Sequence, residues 1–281
     1  MRLKLHIALR AFLILLVALT VSCRGKGTVQ VAHFSEQDQF LPASITVVNW
    51  NVQKGRHPQF VKDVKQLLKR EAPDIVFLQE VTAGLFEPDQ MGGYFAESWS
   101  YPWPGGETSG VLTLSRIPPV RSQSVPTKYR EFGVIAPKVS LVTEYPLSYG
   151  KSLLAVNVHL LNFERWSLNK LRHQLEDLKA IMANHTGPVI MAGDFNTWNQ
   201  KRLQLVKEIT QDMKLKEVTD FPQGRTTGDT RSEFWNEVFG IEKNLPLDRV
   251  FFVNFELESA RVLNYNTSDH KPILVKLTLQ P

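Results

Sequence analysis

One cysteine, Cys23, is the only thiol in this 281-residue chain. An intrachain disulfide is therefore impossible, and a zinc site built on thiolates is excluded. No pair of histidines stands at zinc-ligand spacing. The chain has no glycine-rich loop followed by Lys and Ser/Thr, which argues against a nucleoside triphosphatase, and no Gly-x-Ser-x-Gly elbow, which argues against a serine hydrolase. A strong excess of one charge is missing as well. The formal charge is +5, but residues 1–22 hold Arg2, Lys4 and Arg10 and no acid. The remainder carries 30 basic against 28 acidic side chains, too even a balance to identify a nucleic-acid partner by itself. No internal repeat is visible.

Long apolar runs are scarce, and the clearest lies at the start. Ala11 through Val21 is uncharged and follows the basic head, a pattern that suits a secretory signal better than a membrane span. It ends in Thr20-Val-Ser-Cys23. That ending resembles the processing site of a bacterial lipoprotein, with Thr20 where Leu is usual. Residues 1–22 are expected to be a signal peptide, with Cys23 lipidated and the protein at the cell envelope. Residues 23–44 are polar and aperiodic and read as a tether. Residues 45–281 have the size of one domain, expected to be a monomer.

The stretch Gly187–Trp198 organises the rest. Val189, Ile190 and Met191 read as a buried strand. Gly193 allows a bend, after which Asp194 and Asn196 stand two apart, on one side of an extended chain. Further strands are predicted at 45–51, 74–80, 110–115, 134–142, 153–158, 247–253 and 273–277. Helical spacing appears at 60–68 and 168–182, with a short helix at 202–210. Residues 91–110, rich in Gly, Pro and aromatics including Trp99, Tyr101 and Trp103, read as a long loop. Residues 221–245 read as an irregular excursion carrying Trp235. Arg121, Lys128, Arg130 and Lys138 read as a solvated face, and Trp50 and Trp198 as packing.

Four apolar runs end in a polar residue suited to chemistry: Asn51, Glu80, His159 and the Asp194/Asn196 pair. Asp248 and the Asp269-His270 pair stand where two more strands begin. Strands running oppositely in packed sheets would place all of them on one rim. Asn51, Glu80 and Asp269 are hard oxygen donors, the kind that hold Mg²⁺ together with water and phosphate. Two histidines with acidic neighbours suit charge stabilisation at phosphorus and protonation of a leaving group.

Trp50-Asn51, Leu78-Gln-Glu80, Ser109 to Arg116, Asn157-Val-His159, Gly193-Asp-Phe-Asn196, Leu247-Asp248 and Ser268-Asp-His270 occur in an order that resembles the endonuclease/exonuclease/phosphatase superfamily. The resemblance covers residue 45 to the end. It implies an α/β (α+β) fold of the deoxyribonuclease I-like kind, a four-layer α/β/β/α sandwich. It also implies Mg²⁺-dependent attack of water on a phosphoester, with Mn²⁺ as a substitute. By position, Glu80 is the main metal ligand with Asn51 and Asp269 nearby, and Asp194 activates the water. Asn196 and His270 stabilise the pentacovalent phosphorus, and Asp248 holds the His270 ring. His159 serves the leaving oxygen, and Asn162 binds phosphate.

Three functions remain open on the sequence. The first is a phosphodiesterase acting on nucleic acid. The second keeps the chemistry and takes a phospholipid, a sphingomyelin-like headgroup or a phosphoinositide. The third is a non-catalytic envelope scaffold, which the retained set of polar residues argues against. The fold alone does not choose among them.

Overall fold

The computed structural model describes residues 28–34, 39–88, 91–100, 108–130, 137–148, 150–162, 164, 167–221 and 245–280. Strand β1 (Thr28–Ala32) comes first. A β-α-β unit follows, formed by β2 (Ser44–Asn51), α1 (Phe60–Glu71) and β3 (Ile75–Thr82), with β2 and β3 parallel. Next come β4 (Gly92–Ser100), β5 (Thr108–Ser115), β6 (Arg121–Arg130) and β7 (Pro137–Pro146). A second parallel unit is made by β8 (Ser152–His159), α2 (Asn169–Met182) and β9 (Val189–Asp194). The chain ends with α3 (Gln200–Asp212), β10 (Lys216–Glu217), β11 (Asp248–Val253), β12 (Phe255–Val262) and β13 (Ile273–Leu279).

These strands form two sheets. One is seven-stranded in the order β1-β4-β5-β3-β2-β13-β12, and the other six-stranded in the order β10-β11-β9-β8-β7-β6. Alternation along each strand explains the layering. In β2, Ile45 and Val47 enter the core between the sheets, while Val48 and Trp50 face α1. In β9, Ile190 and Ala192 face inward, while Val189 and Met191 meet the other helices. Helix α1 covers the first sheet with Phe60, Val64 and Leu67. Helices α2 and α3 cover the second with Leu171, Leu175, Leu178, Leu205 and Ile209. Each such side chain contributes roughly 1.5–3 kcal/mol by leaving water. The result is the expected four-layer α/β/β/α sandwich.

The helices end as their sequences require. Ala72 leaves α1 in the left-handed region at φ 44°, and Pro73 follows. Asn199 caps α3 by accepting the Arg202 backbone N–H at 2.9 Å. Such a cap contributes about 1 kcal/mol.

Several expectations fail, and the reasons are physical. The expected loop 91–110 is largely two strands, since Gly92–Ser100 and Thr108–Ser115 pair antiparallel. Its glycines and aromatics masked a period-two pattern. The polar stretch around Arg121 and Lys128 is the edge strand β6, which tolerates Pro126 because one side has no partner strand among the described residues. Strand β12 escaped notice because Glu256, Glu258 and Arg261 dilute its apolar pattern on the opposite edge. Thr28–Ala32, inside the expected tether, pairs with β4. The signal segment and Cys23, Tyr101, Trp103 and Trp235 lie outside the described residues.

Candidate active site

The alternation that fills the core also places the polar groups. In β2 the inward series Ile45, Val47 continues through Asn49 to Asn51. In β8 the inward series Leu153, Ala155 continues through Asn157 to His159, and in β9 Ile190 and Ala192 continue to Asp194. In β11, Asp248 precedes Val250 and Phe252 on the same face. Each inner face is thus apolar along most of its length and polar at one rim.

Glu80 reaches that rim by another route. Strict alternation would send it outward with Val76 and Leu78. The β3–β5 ladder instead slips between Gln79 and Val81, so Glu80 is the extra residue of a bulge, with φ 54°. A bulge re-aims a side chain, and here Glu80 Oε1 lies 3.8 Å from His159 Nε2. Strand β3 therefore runs two residues past Glu80, to Thr82, rather than stopping there.

Asp194 sits at the centre. Its Oδ2 accepts Asn51 Nδ2 at 2.9 Å and lies 3.7 Å from His159 Nε2. Its Oδ1 accepts the Asn196 backbone N–H at 2.9 Å. Asn196 takes φ 50° and donates Nδ2 to the Leu160 carbonyl at 2.9 Å. A turn, not the expected extended spacing, thus brings the pair together. Gly193 is not a bend either: it lies within β9, where a Cβ would stand 1.9 Å from the Val158 oxygen. Glycine is required there for close approach of the strands.

His270 and Asp248 form a second unit, with Nδ1 2.6 Å from Oδ2. Burial alone would lower the His270 pKa. The charge and hydrogen bond of Asp248, with Asp194 and Asp269 behind, raise it to about 10. His270 is therefore an imidazolium at neutral pH. Burial raises Asp194 to about 6, against the pull of the His270 charge. Asp269 is joined through Ser268, whose Oγ donates to the Asn51 carbonyl at 2.7 Å and lies 3.3 Å from Asp269 Oδ1. Trp50, read as packing, is fully buried and also donates Nε1 to the His270 carbonyl at 2.9 Å. Asn162 lies beyond His159, half-buried, and its carbonyl accepts Trp198 Nε1 at 3.1 Å.

Sequence reasoning missed three features. Lys138, read as solvated, donates Nζ to His159 Nε2 at 3.0 Å. An ammonium can only donate, so Nε2 accepts and the neutral ring carries its proton on Nδ1. Burial, then the Lys138 and His270 charges, hold His159 well below its ordinary pKa. The second feature is an amide ladder between the sheets. Gln79 Nε2 donates to Asn49 at 2.9 Å and to Asn157 at 2.8 Å, and Asn49 Nδ2 reaches Asp248 at 3.4 Å. Polar residues at inward positions of apolar strands were the available signal, since buried amides need partners. The third is Arg202, fully buried, which donates Nε to the Asn196 carbonyl at 2.6 Å and also bonds the Leu161 carbonyl. It ties the turn bearing Asn196 to the segment after His159.

Among the described residues, no three His, Cys, Asp or Glu side chains converge as a metal cluster. The oxygen donors expected to hold a metal are Glu80, its side chain 29% exposed, Asn51 and Asp269. That set fits a hard cation such as Mg²⁺, which needs one or two carboxylates and keeps several waters.

The profile of the Endonuclease/Exonuclease/phosphatase family matches residues 48–270. The chain belongs to this family. Family members include nucleases, phosphatases and phosphodiesterases, all acting on phosphoesters. A UPF0294 protein of Vibrio vulnificus is 34% identical over 237 residues, covering 84% of this chain and 77% of its own. An endonuclease/exonuclease/phosphatase from Beutenbergia cavernae superposes with a TM-score of 0.63 at 19% identity, over 84% of this chain and 72% of its own. ANGEL2, a 2',3'-cyclic phosphatase, gives a TM-score of 0.62 at 16% identity, over 92% and 99% of the two chains. At those identities the structural matches establish the fold.

Proposed function

We propose that the protein is a Mg²⁺-dependent phosphodiesterase that hydrolyses nucleic acid. The observation that carries the reading is the setting of Asp194, buried between Asn51 and His159 and facing the His270 charge. A carboxylate held in that way directs and deprotonates a water. The imidazolium of His270 and the amide of Asn196 stand ready for the negative charge that develops on the phosphoryl oxygens. Lys138 adds a second cation beside His159. The neutral His159 ring, with Nε2 turned to Lys138, is suited to orienting that cation. It is poorly suited to protonating a leaving group, the role first expected of it. Glu80, Asn51 and Asp269 would hold Mg²⁺, or Mn²⁺ in its place, which supplies Lewis-acid polarisation of the phosphoryl group when bound.

A lipid substrate finds less support. Among the described residues the exposed large apolar side chains are Val29, Val31, Phe40, Val61 and Val120, and none stands at a strand end of the site. A basic head, an apolar core and Cys23 support the cell envelope as the place of that activity, with Cys23 as its lipid anchor. A mature protein with no acyl chain on Cys23 by mass spectrometry would remove that part.

The test uses the chain lacking residues 1–23, with Mg²⁺ or with a chelator. Substrates are single- and double-stranded DNA, RNA, phospholipid vesicles and phosphomonoesters. Nucleic acid is expected to be cut with Mg²⁺ alone, and Asp194→Asn to lose turnover while keeping its melting temperature. Equal rates for variant and parent, or no cleavage of any nucleic acid, would reject the proposal.

A further inference from the structure

Beside the rim lies an open groove of about 570 Å³, between α1 and the segment joining β12 to Ser268. Its lining includes His57, Gln66, Arg70, Arg261, Tyr265 and Asn266. That volume falls within the range of small-molecule sites.

Two observations join the groove to the catalytic rim. Its wall belongs to the loop that carries Asp269 and His270, for Thr267 lines the groove and Ser268 bonds Asn51. The Tyr265 ring also rests 5.9 Å from the Trp50 ring, and Trp50 holds the His270 carbonyl. The groove therefore shares a wall with the loop that bears Asp269 and His270.

The lining states what it can take. Amides, an imidazole and guanidinium groups surround one half-exposed aromatic ring. A fatty chain would need an apolar wall, and this one is polar. A second phosphate is also a poor fit. Arg70 and Arg261 both pair with Glu71, at 3.4 and 2.8 Å, and Asp63 adds another acid. What remains is a ligand that is neutral, ring-shaped and rich in hydrogen-bonding edges. Every nucleobase has a face that stacks on an aromatic ring, and sugar hydroxyls bond to amides.

We infer that this groove seats an unpaired nucleoside adjoining the scissile phosphodiester, with its base on Tyr265 and its polar edges toward Asn266 and Gln66. The inference rests on the phosphodiesterase reading for its placement. It deepens that reading by naming single-stranded nucleic acid as the substrate class.

The experiment compares a dinucleotide with methyl 4-nitrophenyl phosphate, a diester without sugar or base, on parent, Tyr265→Ala and Tyr265→Phe. Tyr265→Ala is expected to raise KM for the dinucleotide about tenfold or more, as expected for a lost base–aromatic stack. Turnover of the small ester should stay unchanged, which also shows that the variant folds. Tyr265→Phe should keep the parental KM. An unchanged KM in Tyr265→Ala, or an equal loss on both esters, overturns the inference. Adenosine titration followed by protein NMR separates the two readings. Binding lost in Tyr265→Ala, with no turnover of either ester by the parent, would keep the groove and reject the phosphodiesterase. Absence of both binding and turnover would reject both.

Discussion

Asp194 and Asp248 are direct partners in the β9–β11 ladder, two buried carboxylates on one rung. They tolerate each other because each has a different task. Asp248 is bound to the His270 ring, and Asp194 to the Asn51 amide. The imidazolium bonded to Asp248 also draws the Asp194 pKa down against the effect of its burial.

Replacing Asp248 by Asn should keep the shape of this pair and remove its charge. His270 would lose the partner that keeps it protonated. Turnover with saturating Mg²⁺ is expected to fall about 10²–10⁴-fold, the usual worth of a positioned acid–base group. A parental kcat in Asp248→Asn would dismiss the pairing as structural.

The same pair predicts how stability depends on pH without metal. The His270 pKa is about 10 in the folded chain against an ordinary 6.5. A raised basic group stabilises fully below 6.5, and that contribution is lost as pH climbs through 10. His159 shifts the other way and is neutral in both states above 6.5, so it adds no slope there. Urea midpoints measured with chelator should therefore decline between pH 7 and pH 10, and His270→Gln should flatten the decline. A parental slope in that variant would contradict the assignment.

Lys138 offers a spectroscopic test. In Lys138→Met the His159 ring should titrate at a higher pH by NMR, because one nearby positive charge is gone. Burial still holds it below the ordinary value. Hydrolysis should weaken about 10–100-fold in kcat/KM, with partial recovery in Lys138→Arg. An unmoved His159 titration would show that the two groups do not meet in solution.

Gly193 tests the frame rather than the chemistry. Gly193→Ala pushes a methyl group against the Val158 carbonyl. A loss of roughly 1–3 kcal/mol is expected from overpacking, read as a lower urea midpoint. An unchanged midpoint would mean that the two strands separate at little cost.

Asn51, His159 and Asp194 were legible because each ends an apolar run, and the parity of a strand carries its end residue to the core-facing side. Glu80 was legible as an acid after a strand, but its direction was not. That depends on a bulge set by pairing with β5, a non-local event. Lys138 hid at the start of a strand, where a lone cation looks solvated until the His159 strand lies next to it. The edge strand β12 was lost for a related reason. Half of it faces away from the core, so its sequence carries only part of the pattern that marks a buried strand. Asn49, Gln79 and Asn157 were legible as polar residues inside apolar strands, but their pairing into a ladder was not, since they come from three strands in two sheets.

The edge strand β1 has one further consequence. Thr28 is already zipped into the sheet, five positions after Cys23. Five residues reach no farther than about 18 Å even when fully stretched. An acylated Cys23 would thus moor the enzyme flush against its bilayer, with little room to swing. Polymers would have to drift to the membrane to be cut, and debris farther out would go untouched.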